Sequence, residues 1–158
     1  GVSDVSLTEK GINQAKELGN KILDENIHID EIIYSPLVRA KETALYISEI
    51  TGIPAKEEPR LKEQAFGKYE GTPRNGADFR VSKRNFIDSY DGGETMLHLA
   101  QRIYNLIDDI KNEPGDKVYL LVAHNGISRV INSYFHDMSN EEYADFGIRN
   151  CEIRKYEF

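Results

Sequence analysis

Apolar positions along the chain fall either at helical spacing or in short continuous runs, and this pattern predicts alternating helices and strands. Thr8 is a suitable N-cap, and the apolar spacing that follows it predicts a helix reaching about Asn26. Residues 30–34 predict a short strand. Ser35-Pro36 then predicts the start of a second helix, which Gly52 ends. The first third of the chain is therefore expected to run helix, strand, helix.

The same pattern continues in the second half of the chain. An amphipathic helix is predicted over 94–112 and another over 125–135. The apolar run at 117–123 between them is typical of a strand buried in a parallel sheet. Shorter strands are expected at 55–61 and 151–158. This alternation predicts an α/β fold with three α/β/α layers, a mainly parallel central sheet and a single domain over 1–158.

Between Glu63 and Gly93 the periodicity disappears, and glycines interrupt the chain repeatedly. A stretch of about 30 residues without regular spacing is uncommon in a compact domain, and such stretches often form binding loops.

The composition of the chain limits the classes of partner that the protein is expected to bind. A net charge of −7 argues against a nucleic-acid partner. No apolar run approaches the ~20 residues needed to cross a membrane. The lone Cys151 is compatible with a reducing cytoplasm. Nothing in the sequence predicts an oligomeric state.

Candidate chemistry is expected where strands end, because ligands of open α/β sheets bind there, next to helix N-termini. His124 closes the apolar strand and precedes a helix, so it either contacts a bound anion or merely caps the strand. Arg39 lies early in the second helix, where the dipole disfavours a cation, so it either clamps an anion or pairs with Glu42 at the surface.

Glu63 opens the irregular stretch, where a carboxyl group serves either as a general acid over a pocket or as a solvated loop side chain. Arg84 belongs to a basic patch, with Arg80 and Lys83, that either attracts an anionic substrate or forms a solvated helix face. The histidines and the cysteine lack metal-ligand spacing, so no metal or cofactor is predicted.

Taken in order, five short motifs resemble those of the histidine phosphatase superfamily, which includes the phosphoglycerate mutases. They are Leu7-Thr8-Glu9-Lys10-Gly11, Ser35-Pro36-Leu37-Val38-Arg39-Ala40, Leu61-Lys62-Glu63-Gln64-Ala65-Phe66-Gly67, Gly92-Gly93-Glu94-Thr95 and Val122-Ala123-His124-Asn125-Gly126. The resemblance runs along the whole chain, and it implies the phosphoglycerate mutase-like fold.

The resemblance also implies roles for individual residues. Arg39 would clamp the phosphoryl oxygens, His124 would stabilise the transferring phosphoryl group, and Glu63 would donate a proton to the leaving oxygen. The backbone of Asn125 would add an N–H donor. Gly1 would lie near the substrate, and Arg84 would lie near its far end.

The sequence departs from the family in one respect: it contains no Arg-His-Gly motif, which carries the family's nucleophilic histidine on the first strand. We expect that strand and that histidine to lie upstream of Gly1. The resemblance then implies a cytoplasmic, metal-independent phosphatase that acts on small phosphorylated metabolites through a phosphohistidine. The alternatives are a phosphoglycerate mutase-type phosphotransferase and, if the protein begins at Gly1, an inactive scaffold that binds phosphate esters.

Overall fold

The structure is a computed structural model that describes residues 2–73 and 75–158. Its helices are α1 Glu9–Asp24, α2 Val38–Thr51, α3 Ala77–Ser82, α4 Met96–Asn112, α5 Asn125–Phe135 and α6 Asn140–Asp145. Its strands are β1 Glu31–Tyr34, β2 Ala55–Glu57 and β3 Tyr119–Val122. Two short 3₁₀ helices lie at Pro59–Leu61 and Gly67–Tyr69. No helix among the described residues is long and apolar enough to span a membrane.

The three strands form one parallel sheet in the order β2-β1-β3, which confirms the prediction of a mainly parallel sheet. Tyr34, the last residue of β1, stands opposite Glu57 of β2 and Val122 of β3. The carboxyl ends of all three strands therefore meet at one edge of the sheet.

Helices cover both faces of this sheet, as a three-layer fold requires. Ile33 of β1 faces a core built with α4, α5 and α6, which includes Leu99 and Ile127. Its neighbours Ile32 and Tyr34 face a second core built with α1 and α2. The alternation follows from strand geometry, in which successive side chains point to opposite faces. The expected α/β/α layering is confirmed.

The second helix starts later than predicted. Its N-cap is Leu37 and its first residue is Val38, whereas Ser35 continues the strand direction and donates its N–H to the carbonyl of Val122 at 2.9 Å. Leu37 is itself extended, with ψ of 139°, so the helical conformation begins only at Val38 and Leu37 takes the N-cap position. Arg39 is consequently the second residue of α2 rather than about the fourth.

The prediction of a last strand over 151–158 is wrong. Cys151 has a left-handed backbone with φ of 56°, and no strand pairing involves the residues that follow it. These residues dock on α5 through side chains instead: the Tyr156 hydroxyl donates to Asn132 Oδ1 at 3.0 Å, and the Tyr156 ring stacks on Phe135.

Helix α6 was not predicted from the sequence.

Strand β3 pairs with β1 alone among the described residues. All four of its positions are half-buried, whereas the sequence predicts a fully buried strand.

The irregular stretch predicted at 63–93 contains two short helices, Gly67–Tyr69 and α3. Its described part is organised around four packed aromatic rings: Phe66, Tyr69, Phe79 and Tyr90. Its two ends are joined by backbone bonds, since the Lys68 N–H donates to the Tyr90 carbonyl at 2.8 Å. A Cβ on Gly67 would lie 2.0 Å from that carbonyl oxygen, so the close approach requires glycine.

Candidate active site

The ends of β1 and β3 bring two polar side chains into contact. His124 Nε2 lies 2.6 Å from Ser35 Oγ, although 89 residues separate them in the sequence. Ser35 is completely buried, and its hydroxyl oxygen also accepts the N–H of Leu37 at 3.3 Å. The parallel register that pairs Tyr34 with Val122 therefore fixes the position of the His124 ring at the carboxyl edge of the sheet.

Glu63 packs against the start of the helix that His124 precedes. Its Oε2 accepts the N–H of Gly126, in the first turn of α5, at 3.1 Å, and its Oε1 accepts the N–H of Gln64 at 2.9 Å. The side chain is 4% exposed. A Cβ on Gly126 would come within 2.4 Å of Oε1, so the missing side chain at position 126 makes room for the carboxyl group. Glu63 and His124 thus converge on the N-terminus of α5.

A second set of polar contacts holds the loop that carries Glu63. The side-chain amide of Gln64 donates to the carbonyl of Glu94 at 3.0 Å. The guanidinium of Arg102 binds both carboxylate oxygens of Glu94, at 2.9 and 3.0 Å, and also donates to the carbonyl of Arg60. Charge-assisted, bidentate pairs of this kind fix orientation as well as distance. Gln64, Glu94 and the α4 residue Arg102 therefore anchor the loop that carries Glu63, while α5 contacts the carboxyl group itself.

Arg39 lies in the first turn of α2, the helix that follows Ser35. Its Nη1 donates to the carbonyl of Ser3 at 2.7 Å. In the same N-terminal segment, Asp4 Oδ1 accepts the N–H of Val38 at 2.7 Å and so caps the start of α2. The segment at 2–7 thus runs across the beginning of α2, next to the carboxyl edge of the sheet.

Glu70 joins the N-terminal residues 2–7 to residues 64–93, which are the irregular stretch without Glu63. We call these residues the 64–93 segment. The Glu70 carboxylate accepts the N–H groups of Val2 and Phe66 and the hydroxyl of Ser3. Burial alone would raise the pKa of Glu70, but the backbone N–H groups of Phe66 and Val2 outweigh it and hold the pKa below its ordinary value. Sequence reasoning did not single out Glu70, because one glutamate among 27 acidic residues carries no local signal.

The other predicted site residues are placed differently. Asn125 is the first residue of α5, so its N–H has no helix carbonyl to donate to, and its side chain accepts the N–H of Ile148 at 2.9 Å. Arg84 lies exposed just beyond α3, and no described contact links it to Glu63 or His124. Gly1 lies outside the described residues. Asn125 therefore lies with Glu63 and His124 at the N-terminus of α5, whereas no described contact joins Arg84 to these residues.

Behind Glu63 lies a pair of buried polar side chains that the sequence analysis did not assign to the site. The guanidinium of Arg129 lies 5.9 Å from the ring centre of Tyr143. Burial raises the pKa of the Tyr143 phenol well above its ordinary value, and the nearby Arg129 charge opposes that rise. Neither Arg129 Nε nor the Tyr143 hydroxyl has a hydrogen-bond partner among the described residues.

The chemistry available at this edge is that of anion binding next to a proton donor or acceptor. Helix N-termini, imidazole and guanidinium groups all favour a phosphoryl group, and a buried carboxyl group can exchange a proton with it. No group of three or more histidine, cysteine, aspartate or glutamate side chains within 2–73 and 75–158 is arranged to hold a metal ion.

Comparison with known proteins agrees with the family resemblance of the sequence motifs. The sequence profile of the histidine phosphatase superfamily (branch 1) matches residues 1–158. A relative named probable phosphoglycerate mutase GpmB, from Erwinia tasmaniensis, is 28% identical over 162 residues, which cover 98% of this chain and 74% of the relative.

Solved structures share the fold. A mycobacterial glucosyl-3-phosphoglycerate phosphatase in complex with inorganic phosphate superimposes with a TM-score of 0.73 and 25% identity, over 93% of this chain and 77% of that one. The α-ribazole phosphatase of Shigella flexneri superimposes with a TM-score of 0.74 over 96% of this chain and 77% of that one. Its identity to this chain, 22%, supports a shared fold alone.

Proposed function

The chain belongs to branch 1 of the histidine phosphatase superfamily, whose members are phosphatases and mutases, and from this premise we propose that it hydrolyses small phosphomonoesters through a phosphohistidine intermediate. The observation that carries the proposal is the convergence of Glu63 and His124 on the N-terminus of α5. These 158 residues contain no Arg-His-Gly motif, and the proposal needs a nucleophilic histidine that they do not supply.

In this proposal the residues divide the work of phosphoryl transfer. His124, Arg39 and the N–H of Asn125 bind the phosphoryl oxygens and neutralise the charge that develops on them. Glu63 gives a proton to the oxygen of the leaving alcohol. Water then attacks the phosphohistidine and releases inorganic phosphate, so one difficult displacement becomes two easier ones. Gly1 lies near the substrate, and Arg84 lies near its far end.

The phosphoglycerate mutase reaction is the second candidate, because the Erwinia relative carries that name. The likeness to a phosphatase that was solved with inorganic phosphate favours hydrolysis. A mutase returns the phosphoryl group to the substrate, whereas a phosphatase transfers it to water. The two candidates therefore differ in the product and not in the first step.

An activity panel separates the candidates. The native protein is incubated with a set of phosphomonoesters and, separately, with 3-phosphoglycerate plus its bisphosphate primer. We expect phosphate release without isomerisation, together with an acid-labile, alkali-stable phosphoryl label on the protein. Isomerisation without phosphate release would overturn the proposal in favour of the mutase. Binding of phosphate esters without either reaction would favour the inactive scaffold.

A further inference from the structure

Within residues 2–73 and 75–158, one neighbour can accept the proton of the Ser35 hydroxyl. The oxygen accepts the N–H of Leu37 at 3.3 Å and lies 2.6 Å from His124 Nε2. Ser35 is completely buried, and its hydroxyl has no third hydrogen-bond partner within residues 2–73 and 75–158. The two contacts together therefore determine the direction of the bond between the hydroxyl and the ring.

A hydroxyl group donates one hydrogen bond and accepts up to two. If His124 Nε2 carried the ring proton, it would donate to Ser35 Oγ, and the hydroxyl proton would have no acceptor in a buried site. Leaving a buried donor unpaired costs about 1–3 kcal/mol. If Ser35 donates to an unprotonated Nε2, the hydroxyl proton has an acceptor and Nε2 has a donor.

We propose that Ser35 is a positioning residue that holds His124 in the neutral tautomer with the proton on Nδ1. The Ser35 hydroxyl donates to Nε2, and Nδ1–H becomes the donor of the ring. In the reaction proposed above, Nδ1–H is then the group that hydrogen-bonds the transferring phosphoryl oxygen. That last role rests on the proposed function, whereas the tautomer does not.

The backbone fixes the positions of Ser35 and His124 relative to each other. Ser35 lies one residue beyond β1, and its N–H donates to the Val122 carbonyl at 2.9 Å. His124 follows β3 by two residues and is the N-cap of α5. Both partners are therefore fixed by the sheet register and not by flexible loops, so the hydroxyl keeps its place next to Nε2.

The tautomer can be read directly by NMR of the protein labelled with ¹⁵N-histidine. Spectra are recorded near pH 8, where a histidine with the ordinary pKa of about 6.5 is neutral. A His124→Gln variant identifies the His124 signals among those of the four histidines. We expect Nδ1 to show the shift of a protonated nitrogen and Nε2 that of an unprotonated one. A predominantly Nε2–H ring in the unaltered protein would overturn the proposal without any variant.

A matched pair of variants tests the cause. Ser35→Ala removes the donor and is expected to raise the Nε2–H population of His124. Ser128→Ala removes a hydroxyl of α5 that donates to the Asn125 carbonyl at 2.6 Å, and it is expected to leave the tautomer unchanged. An unchanged Nδ1–H tautomer in folded Ser35→Ala would contradict the role of Ser35. If Ser35→Ala does not fold, the spectrum of the unaltered protein still decides the assignment.

Adding inorganic phosphate to the same sample separates this inference from the function it rests on. A protonated Nδ1 whose signal moves on saturation with phosphate supports both. A protonated Nδ1 whose signal does not move supports the tautomer and contradicts the phosphoryl-binding role of His124.

Discussion

The carboxyl edge of the sheet and the 64–93 segment are held together by different kinds of interaction. At the sheet edge, backbone groups fix the reactive side chains: Ser35 is tied to Val122, and Glu63 accepts the N–H groups of Gln64 and Gly126. In the 64–93 segment, four aromatic rings pack against one another, and basic side chains such as Arg84 lie exposed. The first region is thus held by backbone hydrogen bonds, and the aromatic part of the second is held by ring packing.

This difference suggests a division of labour. Phosphoryl transfer depends on positioning and charge neutralisation, which a rigid edge provides. Recognition of the rest of the substrate depends on side chains that vary, which loops carry on a rigid scaffold. Substitutions at the sheet edge should therefore reduce turnover, whereas substitutions in the 64–93 segment should mainly change substrate affinity.

The largest effect is expected for Glu63→Gln. An amide cannot donate an acidic proton, so the turnover of esters with poor leaving groups should fall about 10²- to 10⁴-fold, and that of activated aryl phosphates much less. Steady-state kinetics of the native protein measures both. Glu70→Gln is the matched control, since Glu70 also accepts two backbone N–H groups but belongs to the 64–93 segment. Equal losses for both substrate classes would contradict the general-acid role of Glu63.

A smaller but still large effect is expected for Gly126→Ala. The new methyl group would lie 2.4 Å from Glu63 Oε1, so the carboxyl group must move and its bond to the Gly126 N–H must break. Overpacking of this kind costs about 1–3 kcal/mol of folding stability. We expect a lower melting temperature together with a loss of turnover.

The control for Gly126→Ala is Gly76→Ala in the 64–93 segment. There the nearest atom to a new Cβ is the Pro73 carbonyl oxygen at 3.3 Å, and the backbone has an ordinary φ of −58°. It should leave turnover unchanged, and it should lower the melting temperature less than Gly126→Ala does. Equal destabilisation by the two substitutions would refute the tight fit at Gly126.

A moderate effect of pH is expected where the N-terminal segment meets the 64–93 segment. Because the pKa of Glu70 is lowered in the folded state, its stabilising contribution is present above the unfolded value of about 4.3 and is lost as the pH falls through the folded value. The protection of the Val2 N–H against hydrogen exchange, measured relative to its intrinsic exchange rate at each pH, should therefore fall below pH ~4. The same loss of protection in Glu70→Gln would assign it to another group.

The smallest effect is expected for Arg84→Gln. Arg84 is exposed, and a single solvated charge contributes at most about 1 kcal/mol, or roughly a fivefold change in affinity. KM should rise by that factor or less while kcat stays the same. A loss of kcat comparable to that of Glu63→Gln would place Arg84 with the sheet-edge residues and remove the distinction between the two regions.

Sequence reasoning succeeded where local chemistry decides the structure. Thr8 caps α1 through its side chain, which accepts the N–H of Gly11, and α5 has the predicted bounds 125–135. Capping residues and apolar spacing act within a few positions of each other, so they can be read from one stretch of sequence.

Sequence reasoning failed where partners distant in the chain decide the structure. Ser35 has the sequence signature of an N-cap, but its N–H donates to the Val122 carbonyl and its hydroxyl contacts His124, 89 positions away. The 151–158 stretch has the composition of a strand, but a strand also needs a neighbour with which to pair. The contacts of Glu63 likewise depend on the assembled fold. Its carboxyl group accepts an N–H of α5, and the carbonyl of Glu94 holds its neighbour Gln64.

The central claim is that the sheet edge at Ser35, His124 and Asn125 binds a phosphoryl group, and a titration with inorganic phosphate followed by amide NMR tests it most directly. The account predicts saturable shifts at Ser35, Arg39, His124 and Asn125, with smaller changes at Arg84. Shifts confined to the 64–93 segment, or no saturable shifts at the sheet edge, would contradict it.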